Sequence, residues 1–252
     1  MIYVVIPYVS VGAQGSELEY AIRGWLRHFK EKEFRVVVVG DWHPCLVKFK
    51  KGVEYLPCPK VHEVQFNSYL PHIDIVRKIH AFLRNYITAT EFIYAADDVY
   101  AVDDFSLESV RTPKWRLSNV PSVHHTASGW ALDLGHTHEV LRRYEFPERC
   151  YVTHAPVLFE SNLFWALSDV FGLADRSYVF EDLYFNIMRP EAERLDLSDM
   201  DKLALYIINY GLKAPTIEEV RRDVERWNPI WLNNGVQGWS EGLEQYLKEH
   251  FN

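Results

Sequence analysis

The chain opens on an unbroken apolar, β-branched run, Ile2-Tyr-Val-Val-Ile-Pro7, short enough for a strand buried on both faces. A loop with Gly12 and Gly15 follows. Then Leu18, Ile22, Trp25, Leu26 and Phe29 recur at helical spacing, so 16–31 is expected to be an amphipathic helix, with Ser16 and Glu19 as a capping box. Phe34-Arg-Val-Val-Val-Val39 and Val53-Glu-Tyr-Leu56 read as two further strands, the first closed by Gly40-Asp41 and the second by Pro57 and Pro59. Residues 72–87 carry Ile75, Ile79, Phe82 and Tyr86 on one helical face, and a strand at 92–96 comes next. Beyond about residue 112 the pattern loosens into short strand-like pieces. Pro156 is expected to open a helix that Gly172 stops, and Asp201–Tyr210, Thr216–Arg226 and the C-terminal segment read as helices.

Strands alternating with helices through short connections predict an α/β fold, a mostly parallel sheet covered on both faces with a helix-rich C-terminal part. With 252 residues and no linker, repeat or low-complexity stretch, a single domain is expected, divided into a ligand-binding half at 1–112 and a half at 113–252 that shapes a second site. Nearly half the residues are hydrophobic, which excludes a disordered chain. The net charge of −8 argues against nucleic acid or an anionic membrane as the main partner. Cys45, Cys58 and Cys150 make neither a disulfide framework nor a zinc motif, and no apolar run reaches the length of a membrane span. A cytoplasmic protein is the expectation, free or docked peripherally at a membrane.

The candidate chemistry lies at the end of the strand at 92–96, in "FIYAADDVYAVDDF". In open sheets of this kind ligands bind beyond the carboxyl ends of the strands, where Asp41 and Asp97-Asp98 fall. Two adjacent carboxylates repel, so a positive partner is expected there, either a basic side chain or a hard cation such as Mg²⁺ or Mn²⁺. A divalent ion on such a pair also suits a diphosphate group. The second pair, Asp103-Asp104, reads as an acidic turn with capping roles. His124, His125, His136, His138 and His154 fall among the short strand-like pieces of residues 113–155. His136-x-His138 would share a strand face, although the "EVLRRY" after it suggests a helix. Trp227, Trp231 and Trp239 offer stacking faces, with core burial as the commoner use.

Taken in order, "ELEYAIRGW", "RVVVVGDWHP", "FIYAADDVY" and "THAPVLF" resemble blocks of GT-A-fold nucleotide-sugar glycosyltransferases, and in particular the Stealth and capsular polysaccharide transferase group. The blocks are scattered over about residues 1–185. Two departures stand out: alanine replaces the first acid of the common Asp-x-Asp pattern, and Thr153 precedes His154 where that group has a basic residue. The resemblance implies transfer of a hexose from a UDP-linked sugar to a hydroxyl acceptor such as a glycan, or, in the Stealth variant, transfer of sugar 1-phosphate. A non-catalytic sugar-binding module is the alternative of another class. The same resemblance implies that the loop begun by Pro7 and Tyr8 wraps the nucleotide and that Asp41 faces its base or ribose. Arg77 and Lys78 would reach the diphosphate, Arg23 a phosphate or Glu19, and Asp97 the sugar or ribose. Asp97, Asp98 and His154 would hold Mn²⁺ or Mg²⁺, and Glu181 or Asp182 would act as base toward the acceptor. Read without it, Arg77 and Lys78 are a solvated helix face with an i,i+4 pair to Asp74, and Glu181-Asp182 an acidic helix start.

Overall fold

The computed structural model describes residues 1–60, 71–116 and 129–252, and the backbone of 62–63 and 68–69. His124 and His125 lie outside the described residues. Strands β1 (Ile2–Tyr8), β2 (Phe34–Gly40) and β3 (Val53–Pro57), with helices α1 (Glu17–His28) and α2 (Pro71–Asn85), form the first layers. Strand β4 (Glu91–Tyr94) continues the sheet, and β5 (Val99–Ala101) leaves it for a second one. Then come α3 (Trp130–Arg143), β6 (Val157–Glu160), α4 (Ser161–Phe171) and α5 (Phe180–Leu183), the last running on as a π-helical turn to Met188. Helix α6 (Met200–Tyr206), β7 (Ile207–Tyr210), α7 (Ile217–Trp227), β8 (Trp231–Asn234) and α8 (Glu241–Phe251) complete the chain.

The main sheet has the order β3-β2-β1-β4-β6, parallel except for β6, which runs antiparallel to β4. The register sets Tyr8 against Gly40 and Val5 against Tyr94, so three strands end along one edge. Val4, Val5, Ile6 and Val36 to Val39 are wholly buried, as apolar runs covered on both faces must be. Gly40 has φ +145°, and a Cβ there would lie 1.9 Å from the Tyr8 carbonyl oxygen, so only glycine lets the β1 and β2 ends close up. The second sheet, β7-β8-β5, pairs β8 antiparallel with β5 and parallel with β7. Helix α1 spans the seam between the sheets. Its Gly24 packs on the Ala101 backbone, where a Cβ would sit 2.7 Å from the amide nitrogen.

Several expected elements differ. Val157–Glu160 is a strand rather than the start of a helix: Pro156 stands just before an edge strand, where no ladder donor is lost, and the helix begins at Ser161. Gly172 does stop that helix, in the left-handed conformation. The expected helix at 201–210 ends at Tyr206, because β-branched Ile207 and Ile208 join β8 instead. Ser16 is an N-cap without a capping bond, since its hydroxyl turns to Glu244 and Glu19 is held by Arg23 and Lys48. Asp104 is not a cap; it accepts from Lys30 and His28. His136 and His138 sit on α3, not a strand. Trp231 is core, and Trp239 packs over Gly15.

Candidate functional site

Beyond the ends of β1 and β4 lies a cleft of about 420 Å³. The loop after β1 (Val9 to Gln14), Glu17 of α1, Asp74 of α2, the Asp97-Asp98 turn, His154 and the Asn234–Val236 segment surround it. After Tyr94 the chain is still pinned to the sheet, with the Ala95 amide donating to Val5 O at 3.1 Å. It then turns at Asp97-Asp98 and enters the second sheet at Val99. The acidic pair therefore occupies the junction of the two sheets. The end of β8 grips that turn: Asn233 Nδ2 and the Asn234 amide donate to the Asp98 carbonyl at 3.2 and 3.3 Å.

The electrostatics of the cleft are one-sided. Glu17, Asp74, Asp97 and Asp98 line it, and among the described residues no lysine or arginine does. Burial, with the charge of Glu17 added, pushes Asp97 up to about 7, against the opposing pull of Lys78. Asp98 is raised further, by burial and then by the charges of Asp97 and Glu17. Glu17 is itself buried and raised by that burial, although the Gln14 amide at 2.6 Å and Asn234 Nδ2 at 2.7 Å both donate to it. Two adjacent carboxylates lining one cleft, both raised by burial and by neighbouring acids although hydrogen bonds and Lys78 oppose the shift, suit a hard divalent cation that takes its remaining ligands from a substrate. Among the described residues no three His, Cys, Asp or Glu side chains gather into a preformed metal group. His154 thus lines the same cleft as Asp97 and Asp98 without closing a triad with them. Its backbone is left-handed at φ +62°, a conformation that costs a non-glycine residue about 1 kcal/mol or more.

The other expected residues scatter. Pro7 lines the cleft, whereas the Tyr8 ring is buried edge-on against His43. Asp41, at the end of β2, lies outside the cleft lining and accepts from the Ser10 amide and hydroxyl at 2.9 and 2.7 Å. Partial burial would raise it, but those bonds and the charges of Lys78 and Lys60 hold it below the usual carboxylate range. Arg77 turns away to Ala174 O and Asp175. Lys78 is neither on a solvated face nor in the cleft. It is fully buried beneath Gly40 and paired with Asp74, which puts a carboxylate in the wall with its countercharge behind it. Arg23 pairs with Glu19.

Next to this cleft, and sharing Ile75, Tyr94, Ala96 and His154 with it, is a second pocket of about 170 Å³. Glu181 and Asp182 separate here. Asp182 is wholly buried and clasped by the Tyr151 amide at 2.6 Å and His138 Nε2 at 3.2 Å. Glu181 instead lines the pocket, with Oε2 buried and unpartnered among the described residues. Burial pushes it up to about 7, opposed by His72. The sequence reading overlooked Glu17, Asn234 and His72. Glu17 opens the quoted "ELEYAIRGW" block and Asn234 ends on the turn signal "NNG", but nothing local shows that either faces an acidic pair.

No protein-family model matches the chain, and none of the curated proteins matches it.

Proposed function

We propose that the chain is a GT-A-type glycosyltransferase that moves a hexose from a nucleoside-diphosphate sugar, UDP-linked, to a hydroxyl acceptor. The observation that carries this reading is the Asp97-Asp98 turn: two carboxylates at the exit of a central parallel strand, in a cleft that no lysine or arginine lines among the described residues. A diphosphate enters such a cleft only with a cation, which is what a nucleotide sugar with Mn²⁺ or Mg²⁺ brings. The strand order, the antiparallel β6 and the quoted sequence blocks agree with it.

Asp97 and Asp98 would hold the cation, which would neutralise charge developing on the donor diphosphate. The loop from Val9 to Gln14 covers the nucleotide. In the neighbouring pocket Glu181 accepts the proton of the acceptor O–H, poised near neutral pH as an efficient base requires. The acceptor oxygen forms a bond to the anomeric carbon as the bond from that carbon to the diphosphate oxygen breaks, and the electron pair leaves on the nucleoside diphosphate. Thr153 and His72 border that reaction on the acceptor side.

The test is a thermal-shift panel of nucleotide sugars with and without Mn²⁺, followed by product analysis. Stabilisation by a UDP-sugar only with metal, and release of UDP on turnover, are expected. Release of UMP would shift the assignment to sugar-1-phosphate transfer. Metal-independent binding of a free sugar without turnover would make the protein a sugar-binding module.

A further inference from the structure

The pocket beside the acidic cleft has its own chemistry. His72 on α2, Tyr94 at the end of β4, Trp130 on α3, Thr153 and His154 before β6, and Glu181 on α5 line it. Two of these carry buried oxygen atoms with no hydrogen-bond partner among the described residues, Thr153 Oγ1 and Glu181 Oε2. Buried polar atoms are nearly always satisfied, so a pair of orphans on residues lining one cavity marks a place where a ligand supplies the bonds. A third group is prepared in the same way. His72 Nδ1 lies 2.6 Å from Asp133 Oδ2, which also accepts from the Ser177 hydroxyl at 2.6 Å. With Nδ1 held by Asp133, Nε2 is the ring nitrogen left for a further partner.

We propose that this pocket is a subsite for one neutral polyol ring, a pyranose with free hydroxyls, seated against Trp130 and hydrogen-bonded by Thr153, Glu181 and His72. Glu181 accepts from a ring hydroxyl, and His72 Nε2 and the Thr153 hydroxyl each bond another. Trp130, 44 % exposed, offers the apolar face on which the C–H side of a sugar ring rests. Charge decides the class. Among the described residues no lysine or arginine lines the pocket, so a phosphate or carboxylate ligand finds no such countercharge beside Glu181. Size decides the length: at about 170 Å³ the pocket falls below the roughly 300 Å³ at which drug-sized sites begin, so it takes a single ring with any further residues outside. The walls shared with the acidic cleft bring a hydroxyl of that ring toward the acidic turn. Naming the ring as the acceptor's terminal sugar rests on the transferase reading. Its binding here does not.

The two are separated by saturation-transfer NMR on the whole chain with methyl pyranosides of glucose, galactose and mannose, run beside calorimetry of UDP with Mn²⁺. At least one pyranoside is expected to receive transfer at millimolar concentration. Thr153→Val and Trp130→Ala should each weaken that binding about five-fold or more, as the loss of one good contact does, with UDP affinity unchanged. Thr153→Val preserves the side-chain shape, and a wild-type circular dichroism spectrum verifies its fold. No transfer to any pyranoside, or transfer that survives in the correctly folded Thr153→Val protein, overturns the subsite. Pyranoside binding in a protein that does not bind UDP with metal would uphold the subsite and sink the transferase reading.

Discussion

Asn234 donates its side-chain amide to Glu17 Oε1 at 2.7 Å, joining residues 217 positions apart in the wall of the acidic cleft. The same side chain accepts from the Tyr100 hydroxyl, so one asparagine ties α1, β5 and β8 together. Asn234→Ala strips two buried partners at once. A loss of about 1–3 kcal/mol in urea unfolding is expected. Asn234→Asp, which sets a carboxylate against Glu17, should cost more at pH 8 than at pH 5.

The acidic turn should reveal itself through stability as well as activity. Asp97 and Asp98 have folded-state pKa values above those of the unfolded chain, so the stability present at low pH is lost as pH rises from about 4 through about 7. Asp97→Asn removes part of that loss. The variant should gain on the order of 1 kcal/mol over wild type at pH 8 and nothing at pH 4, while losing metal-dependent UDP binding. A variant less stable than wild type at pH 8 would mean that the carboxylate serves the fold.

Asp74 and Lys78 form a fully buried pair one helical turn apart. Breaking it from one side leaves an uncompensated charge, so Lys78→Met should cost about 3–5 kcal/mol. The double change Asp74→Leu with Lys78→Met should recover most of it. Chemical denaturation of the three variants as a mutant cycle measures the difference. UDP affinity then reports separately whether the Asp74 carboxylate serves the cleft.

A second pH effect belongs to the C-terminal helix. His250 on α8 stacks on His28 of α1, with Nε2 to Nε2 at 3.1 Å, and is pushed down to about 4 by burial, then by His28 and Arg27, with Asp103 opposing. A depressed histidine keeps the fold at full strength above pH 6.5 and weakens it as pH falls toward 4. His250→Gln should flatten the fall in stability between pH 6.5 and 4.5, read from urea midpoints.

The first half of the fold was legible because its signals are local. Val36 to Val39 can only be a strand covered on both faces, and the pattern of Ile75, Ile79 and Phe82 only one helix face. Legibility fails where tertiary pairing decides. Val157-Leu-Phe and Ile207-Ile-Asn-Tyr suit a helix flank as well as a strand, and sheet edges supplied from elsewhere chose the strand. At the site, the Asp97-Asp98 turn was visible as an acidic pair after an apolar run. Glu17, Asn234 and His72 were not, because their meaning lies in what they face. Lys78 was misread because its partner Asp74 is local but its cover, Gly40, comes from the end of a distant strand.

The grip of Asn233 and Asn234 on the Asp98 carbonyl also sets an order of events during synthesis. The two halves of that grip are made more than a hundred residues apart, so the acidic loop leaves the ribosome long before its clamp exists. The first four strands can pair once residue 94 has emerged, since their farthest pairing, Tyr3 with Phe92, lies well upstream of residues 231–234. The acidic loop then waits, unpinned, until residues 231–234 appear. A nascent chain halted before that point would carry a formed sheet but an unfinished cleft, whose wall closes only once residues 231–234 are in place.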